Sequence, residues 1–328
     1  MPEWKHVTIQ VVADAAGVST ATVSRVLAGL PGAGEETRKR VLRAAEELNF
    51  RGDPSAKMLR SRKSNSYGMV VPDLRNPFFP ELIHSLEHRA QHHGRVLFIS
   101  NSQNDTETEL RRVEALVDRR VDGLLISPVD RRESVSTIRW AAERVRVVQL
   151  DRHAGTDAPY VGADHAATIR KVVTYLKGTG RERLAYVGFP DSSSTSKERI
   201  DAFTASATSE SISVARIETG LPTTTARAIA AWIDQNPRQV EAIITTSDLH
   251  GIATKFELQA LGIRVPEDVA IVSFDNTSLA AAADLTSVQQ PVDLIAEKAI
   301  ELIEGTDVAG DTIVISGHIV PRGSSAVR

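Results

Sequence analysis

The chain has 328 residues, 41% hydrophobic and 25% charged, too long for one ordinary core and suited to two or three globular domains. It holds no cysteine and no long unbroken apolar run, which excludes disulfides, thiolate chemistry, cysteine-based zinc sites and a membrane-spanning helix. The net charge of −3 is uneven, because residues 1–65 carry eleven Lys/Arg against seven Asp/Glu and stand at +4 while the remainder stands at −7; a basic module on an acidic body points toward nucleic acid.

Met1 to His6 contain no apolar signal core, so export is not expected and a cytoplasmic location is. Thr8 stands where a helix cap belongs, ahead of a predicted helix from Ile9 to Ala16 with Val12, Ala15 and Ala16 inward. Gly17 follows, suited to the left-handed stop of a sharp turn. Ser19 then caps a second helix, Thr20 to Leu27, with Val23, Val26 and Leu27 inward. Two short helices around a glycine turn are either a plain helical corner or a helix-turn-helix. A third helix opens after Gly34 with Glu35 and Glu36 in its first turn, and Val41, Leu42, Ala45 and Leu48 form its apolar stripe.

Residues 51–65 read as a basic linker. From Tyr67 onward, short β-branched runs alternate with helical patterns. Eight strands are predicted: 68–71, 96–100, 123–127, 145–150, 184–188, 214–218, 242–246 and 269–274. Between and after them come helices over 79–93, 106–119, 166–178, 198–209, 223–235, 249–261 and 293–304. Such alternation predicts parallel sheets covered on both faces, and eight strands suit two similar halves. Ser192 to Ser196 reads as a loop.

The stretch from Val7 to Leu27, followed by Glu35-Glu36-Thr37-Arg38, resembles the headpiece of the LacI/GalR family of bacterial repressors. The resemblance continues through Val71-Pro72-Asp73, Arg120-Val121-Asp122-Gly123, Val148-Gln149-Leu150-Asp151-Arg152, Gly262 to Val269, Phe274-Asp275-Asn276 and Leu285 to Pro291. It implies an all-α helix-turn-helix headpiece over 1–52 and a hinge helix and linker over 53–66. It also implies an α/β effector domain over 67–328, built like a periplasmic binding protein from two doubly wound subdomains. Their expected limits are 67–163 with 292–319, and 164–291 with 320–328.

By the same resemblance Thr20, Ala21 and Arg25 approach base edges, and Thr8, Ser19, Thr22 and Ser24 contact phosphates. Arginine alone among the three has the fork that grips guanine O6 and N7. Ala56, Lys57, Leu59 and Arg60 would lie in the minor groove, with Leu59 wedged into a base step. Gly52 stands where the family usually has proline, which makes ordering the hinge more costly. In the effector cleft the resemblance places Phe78, Phe79, Ser193, Thr195, Arg199, Asp248 and Asp275. Asp248 is equally a helix cap by position, and Leu221 replaces an aromatic of some relatives.

The implied partners are operator DNA, a second copy of the chain and a small polar effector, a sugar before a purine. A repressor is expected, with activation as the alternative. No phosphate loop, nucleophile elbow or His-Glu-x-x-His occurs, so no enzyme, cofactor or metal is expected. His84, His88 and His92 share one helix face at four-residue spacing; a metal pair is conceivable, a solvated or interfacial face is expected.

Overall fold

The computed structural model describes residues 7–50, 64–188, 192–210, 213–218, 222–235, 239–305 and 312–326. The chain forms two compact units, Met1–Ser64 and Asn65–Arg328.

The first unit holds α1 (Ile9–Ala16), α2 (Thr20–Leu27) and α3 (Glu35–Glu47). Gly17 ends α1 at φ 64° and ψ 41°, and the Val18 N–H turns back to the Ala13 carbonyl at 3.0 Å. Only glycine adopts that torsion cheaply; a Cβ there would touch nothing, so torsion rather than space demands it. The Ser19 side chain caps α2 by accepting from the Thr22 N–H at 3.2 Å, whereas Thr8 precedes α1 without a side-chain bond. The core is Val12, Ala13, Ala16, Val23, Val26, Val41, Ala44 and Ala45. Three expected core residues face outward: Ala15 is exposed, and Leu27 and Leu42 are 39% and 45% exposed. Small Ala13 and Ala44 fill the space between the helices instead, which turns each buried stripe away from the larger side chains.

The second unit has two six-stranded sheets. The first uses β1 (Ser66–Val71), β2 (Val96–Asn101), β3 (Gly123–Ile126), β4 (Arg146–Leu150), β5 (Tyr160–Ala163) and β11 (Thr312–Ile315), in the order 2-1-3-4-5-11, all parallel. The second uses β6 (Arg183–Gly188), β7 (Ser213–Glu218), β8 (Ala242–Thr245), β9 (Ala270–Asp275), β10 (Thr286–Gln289) and β12 (His318–Val320), in the order 7-6-8-9-10-12. Among the described residues, only the β10–β12 pair is antiparallel. The first five strands of each sheet share one doubly wound order, so β4 and β9 are counterparts.

The helices are α4 (Phe78–His92), α5 (Thr106–Asp118), α6 (Ser134–Ala142), α7 (His165–Gly178), α8 (Ser194–Glu210), α9 (Pro222–Gln235), α10 (Asp248–Ala260), α11 (Ser278–Ala282) and α12 (Val292–Glu304). Each sheet carries a hydrophobic cluster on both faces, and its central strands are buried. Met69, Leu82, Leu125, Ile295 and Ile300 pack on one side of the first sheet, with Val70, Val113, Leu124 and Ile138 on the other.

Two expectations change here. Ser192 to Ser196 is not wholly a loop, because α8 begins at Ser194, with the Ser193 hydroxyl accepting from the Ser196 N–H at 3.2 Å. The last crossing between sheets falls at 316–317 rather than after residue 319, since His318–Val320 pairs with β10.

Candidate functional site

In the first unit, α2 buries Val23 and Val26 and turns Thr20, Ala21, Ser24 and Arg25 to the other side. Ala21 and Arg25 are exposed, one helical turn apart, while Thr20, Thr22 and Ser24 are half-buried. Gly32 is bare beside the Arg25 side chain, its would-be Cβ 3.5 Å from Cδ and Nη1. Ser19 and Thr8 are exposed, and the Ser19 hydroxyl lies 3.0 Å from that of Thr22. Ala56, Lys57, Leu59 and Arg60 lie outside the described residues, as does Leu221.

In the second unit, the carboxyl ends of the two sheets bring charged groups into one cleft. This is where open α/β sheets bind ligands. Asp275 ends β9 with φ 107°, and Asp151 follows β4 with φ 59°. These counterpart positions of the two sheets each place a buried carboxylate on a strained backbone.

Arg199 comes from α8 and is buried. Its Nε–H donates to His165 Nδ1 at 3.1 Å, its Nη1 donates to the Thr246 carbonyl at 3.0 Å, and its guanidinium lies 4.0 Å over the Phe274 ring. Burial first, then the Arg199 and His153 charges, hold the His165 pKa well below its usual value. Asp275 accepts from Gln290 Nε2 at 2.7 Å, and burial reinforced by Asp248 pushes its pKa up to about 8.

On the opposite lobe Arg152 lies over Phe79, 6.0 Å from its ring centre, and 3.9 Å from the Asp151 carboxylate. Burial lowers the Arg152 pKa and raises that of Asp151. Phe78 and Phe79 meet edge to face at 5.2 Å and belong mainly to the core of the first lobe. Among the described residues, Arg152 Nε, His165 Nε2, Gln290 Oε1, Asn276 Oδ1 and Ser127 Oγ are buried without a hydrogen-bond partner. Each such orphan costs about 1–3 kcal/mol.

Asp248 does something else. It is the first residue of α10 rather than its cap, and both of its oxygens are occupied within its own lobe. Ser273 and Ser287 donate to one; the Thr277 N–H and hydroxyl donate to the other at 2.7 and 2.9 Å. These bonds tie α10 to β9, β10 and the turn before α11. Ser193 and Thr195 are buried near the cleft, their hydroxyls 3.1 Å apart. Asp151, Arg152, His165 and Gln290 escaped the sequence reading. A rule was at hand for the first two, which directly follow a predicted strand. Nothing local marks His165 or Gln290.

A regulatory-family model, "Bacterial regulatory proteins, lacI family", matches residues 8–53. A second, "Periplasmic binding proteins and sugar binding domain of LacI family", matches residues 64–306. The chain belongs to the LacI family. The HTH-type transcriptional repressor PurR of Aliivibrio fischeri is 30% identical over 308 residues, covering 90% of each chain. The ribose operon repressor of Halalkalibacterium halodurans is 27% identical over 291 residues, covering 87% of this chain and 86% of the relative. Among solved structures, the Lac repressor dimer bound to operator and the anti-inducer ONPF superposes with a TM-score of 0.88 at 24% identity, over 98% of this chain and all of that one. As a LacI-family protein the chain therefore combines a regulatory helix-turn-helix module with an effector-binding domain.

His84, His88 and His92 face Asp293, Glu297 and Glu301 across a groove between α4 and α12. No group of three His, Cys, Asp or Glu among the described residues is placed to hold a metal. No helix among them is long and apolar enough to cross a membrane.

Proposed function

We propose that this LacI-family protein is a cytoplasmic, sequence-specific repressor that binds a pseudo-palindromic operator as a homodimer and releases or grips it according to a small polar effector, a sugar. The observation that carries the effector reading is the set of orphaned polar atoms contributed by both lobes of one cleft. A hydroxyl-rich ligand answers them in kind: it accepts from Arg152 and His165 and donates to Gln290, Asp151 and Asp275. A neutral polyol also suits a cleft whose charges largely offset one another. Arg199, Asp275 and the ring of Phe79 remain ligand contacts in this reading, with Ser193 and Thr195 beside them.

For DNA, Arg25 supplies base discrimination, Ala21 and Thr20 supply close approach, and Thr8, Ser19, Thr22 and Ser24 supply phosphate contacts. Leu59, with Ala56, Lys57 and Arg60, is the proposed minor-groove lever. The second copy would cover apolar side chains that otherwise face water. These are Val96, Phe98 and Ile99 on the edge strand β2, and Phe256 on α10, 42% to 63% exposed.

The test is a thermal-shift screen of wild-type protein with pentoses, hexoses, disaccharides and purines, followed by operator binding with each hit. A specific sugar raises Tm in proportion to RT ln(1 + [L]/Kd) and alters operator affinity. A purine hit without a sugar hit overturns the sugar assignment. A hit that leaves operator affinity unchanged overturns the regulatory coupling.

A further inference from the structure

Among the described residues, the loops after β3 and β4 of the first lobe reach the second lobe across the cleft. His153, just beyond β4 in the first lobe, reaches α8 in the second with both backbone and side chain. Its N–H donates to Ser194 Oγ at 2.9 Å, and its Nε2 lies 2.7 Å from Glu198 Oε1. Nearby, the Arg131 N–H donates to the Ser192 carbonyl at 2.8 Å, and the Gly155 N–H ties back to the Arg131 carbonyl. The His153 ring leans on Tyr160 with centroids 4.7 Å apart, and the Tyr160 hydroxyl donates to the Asp151 carbonyl at 3.0 Å. The imidazole is thus held on its own lobe and aimed at the other.

The neighbours of this pair are the cleft's main charged groups. His153 follows Asp151 and Arg152, and Glu198 precedes Arg199. A bond between His153 and Glu198 therefore sets where Arg199 of one lobe stands relative to Asp151 of the other. Both side chains are partly open to solvent, at 39% and 37%, so the contact contributes little to folding. Its effect falls on the equilibrium between closed and open lobes, which a small free energy moves appreciably.

We infer that His153 and Glu198 are positioning residues that clasp the two lobes closed over the effector site. The inference rests on the cleft being that site. A clasp of this kind favours the closed cleft and raises effector affinity by the fraction of molecules already closed.

The test uses the full chain, which has no cysteine of its own. Glu107→Cys on α5 and Arg227→Cys on α9, side chains 84% and 79% exposed, carry a donor and acceptor dye pair, one label per lobe. Labelled protein is diluted into unlabelled protein so that distances within one chain are read. His153→Ala and Glu198→Ala are each expected to lower the closed-to-open ratio about two- to fivefold. The double variant should be no more open than either single one. His153→Gln, which still presents a donor to Glu198, should restore most of the closed population. Unfolding midpoints should stay near wild type, which confirms folding. Unchanged distance distributions, or single effects that simply add, overturn the clasp. The distances are read without ligand, so failure of the clasp is separate from failure of the sugar screen on wild-type protein.

Discussion

Arg199 donates its Nε–H to His165 Nδ1 at 3.1 Å, and this one bond assigns the proton of the imidazole. Guanidinium is only a donor, so Nδ1 must be the acceptor and the neutral ring carries its hydrogen on Nε2. That Nε2–H is buried and has no partner among the described residues. The cleft therefore offers a ligand one fixed donor, whose orientation is set from the second lobe.

Replacing Arg199 with alanine should release this arrangement. The Arg199 charge helps, after burial, to hold the His165 pKa down, so that pKa should rise in Arg199→Ala. Nitrogen chemical shifts of the imidazole would show the Nε2–H tautomer in wild type and a mixture in the variant. A ring that titrates identically in both would show that Arg199 does not govern it. In wild type the sign of the stability effect is clear. The unfolded chain takes up a proton near pH 6.5 that the buried ring refuses, so this group costs stability as pH falls below that value.

Asp275 gives the opposite slope. Its folded pKa of about 8 stands above the ordinary 3.8, so the folded protein holds a proton that the unfolded chain has lost. Stability falls as pH rises from 3.8 toward 8 and levels off above it. Asp275→Asn, always neutral, should flatten that part of the profile and raise the denaturation midpoint at pH 8. It should also weaken sugar binding at least tenfold, since a buried polar contact is worth about 1.5–3 kcal/mol when charge or strong donation is involved. Urea titrations across pH, with calorimetry of the screened sugar, measure both. An unchanged slope would remove the raised pKa from the account.

Asp248→Ala should do the reverse: destabilise by about 2–4 kcal/mol, because it strands the donors of Ser273, Ser287 and Thr277 inside the second lobe. Any loss of ligand response should track the loss of stability and recover at lower temperature. A variant with wild-type stability and no ligand response would return Asp248 to the ligand set.

Arg25→Ala in the exposed face of α2 should weaken operator binding by roughly 1–3 kcal/mol and relax one base position. Selection from randomised DNA reads this directly. An unaltered base preference at every position would move Arg25 from readout to a phosphate or structural role.

Much of this architecture is written locally. Gly17 between two short apolar helices, the Ser19 cap, and the alternation of apolar runs with helical stripes are consequences of torsion and periodicity, which neighbouring residues settle among themselves. The sequence placed the three headpiece helices and the first four strands of each sheet on those grounds. It missed β5, β10, β11 and β12, each only three or four residues long. They are the outer two strands at one side of each sheet, and their pairing with a neighbouring strand is a tertiary event that no local period records. It also turned Ala15, Leu27 and Leu42 inward, since a helical stripe does not say where a small partner residue will rotate it.

The charged cleft shows the same division. The sequence by itself determined a two-part LacI-family chain with a helix-turn-helix and acidic residues at strand ends. Only the tertiary structure decided what those acids do. Asp248 and Asp275 look alike along the chain, each at a strand's end. Yet Asp248 is saturated by four donors of its own lobe, while Asp275 keeps a proton and lies near Arg199 of its own lobe and Asp151 of the other. Hydrogen-bond saturation and desolvation depend on which distant strands meet, and no local pattern records that meeting.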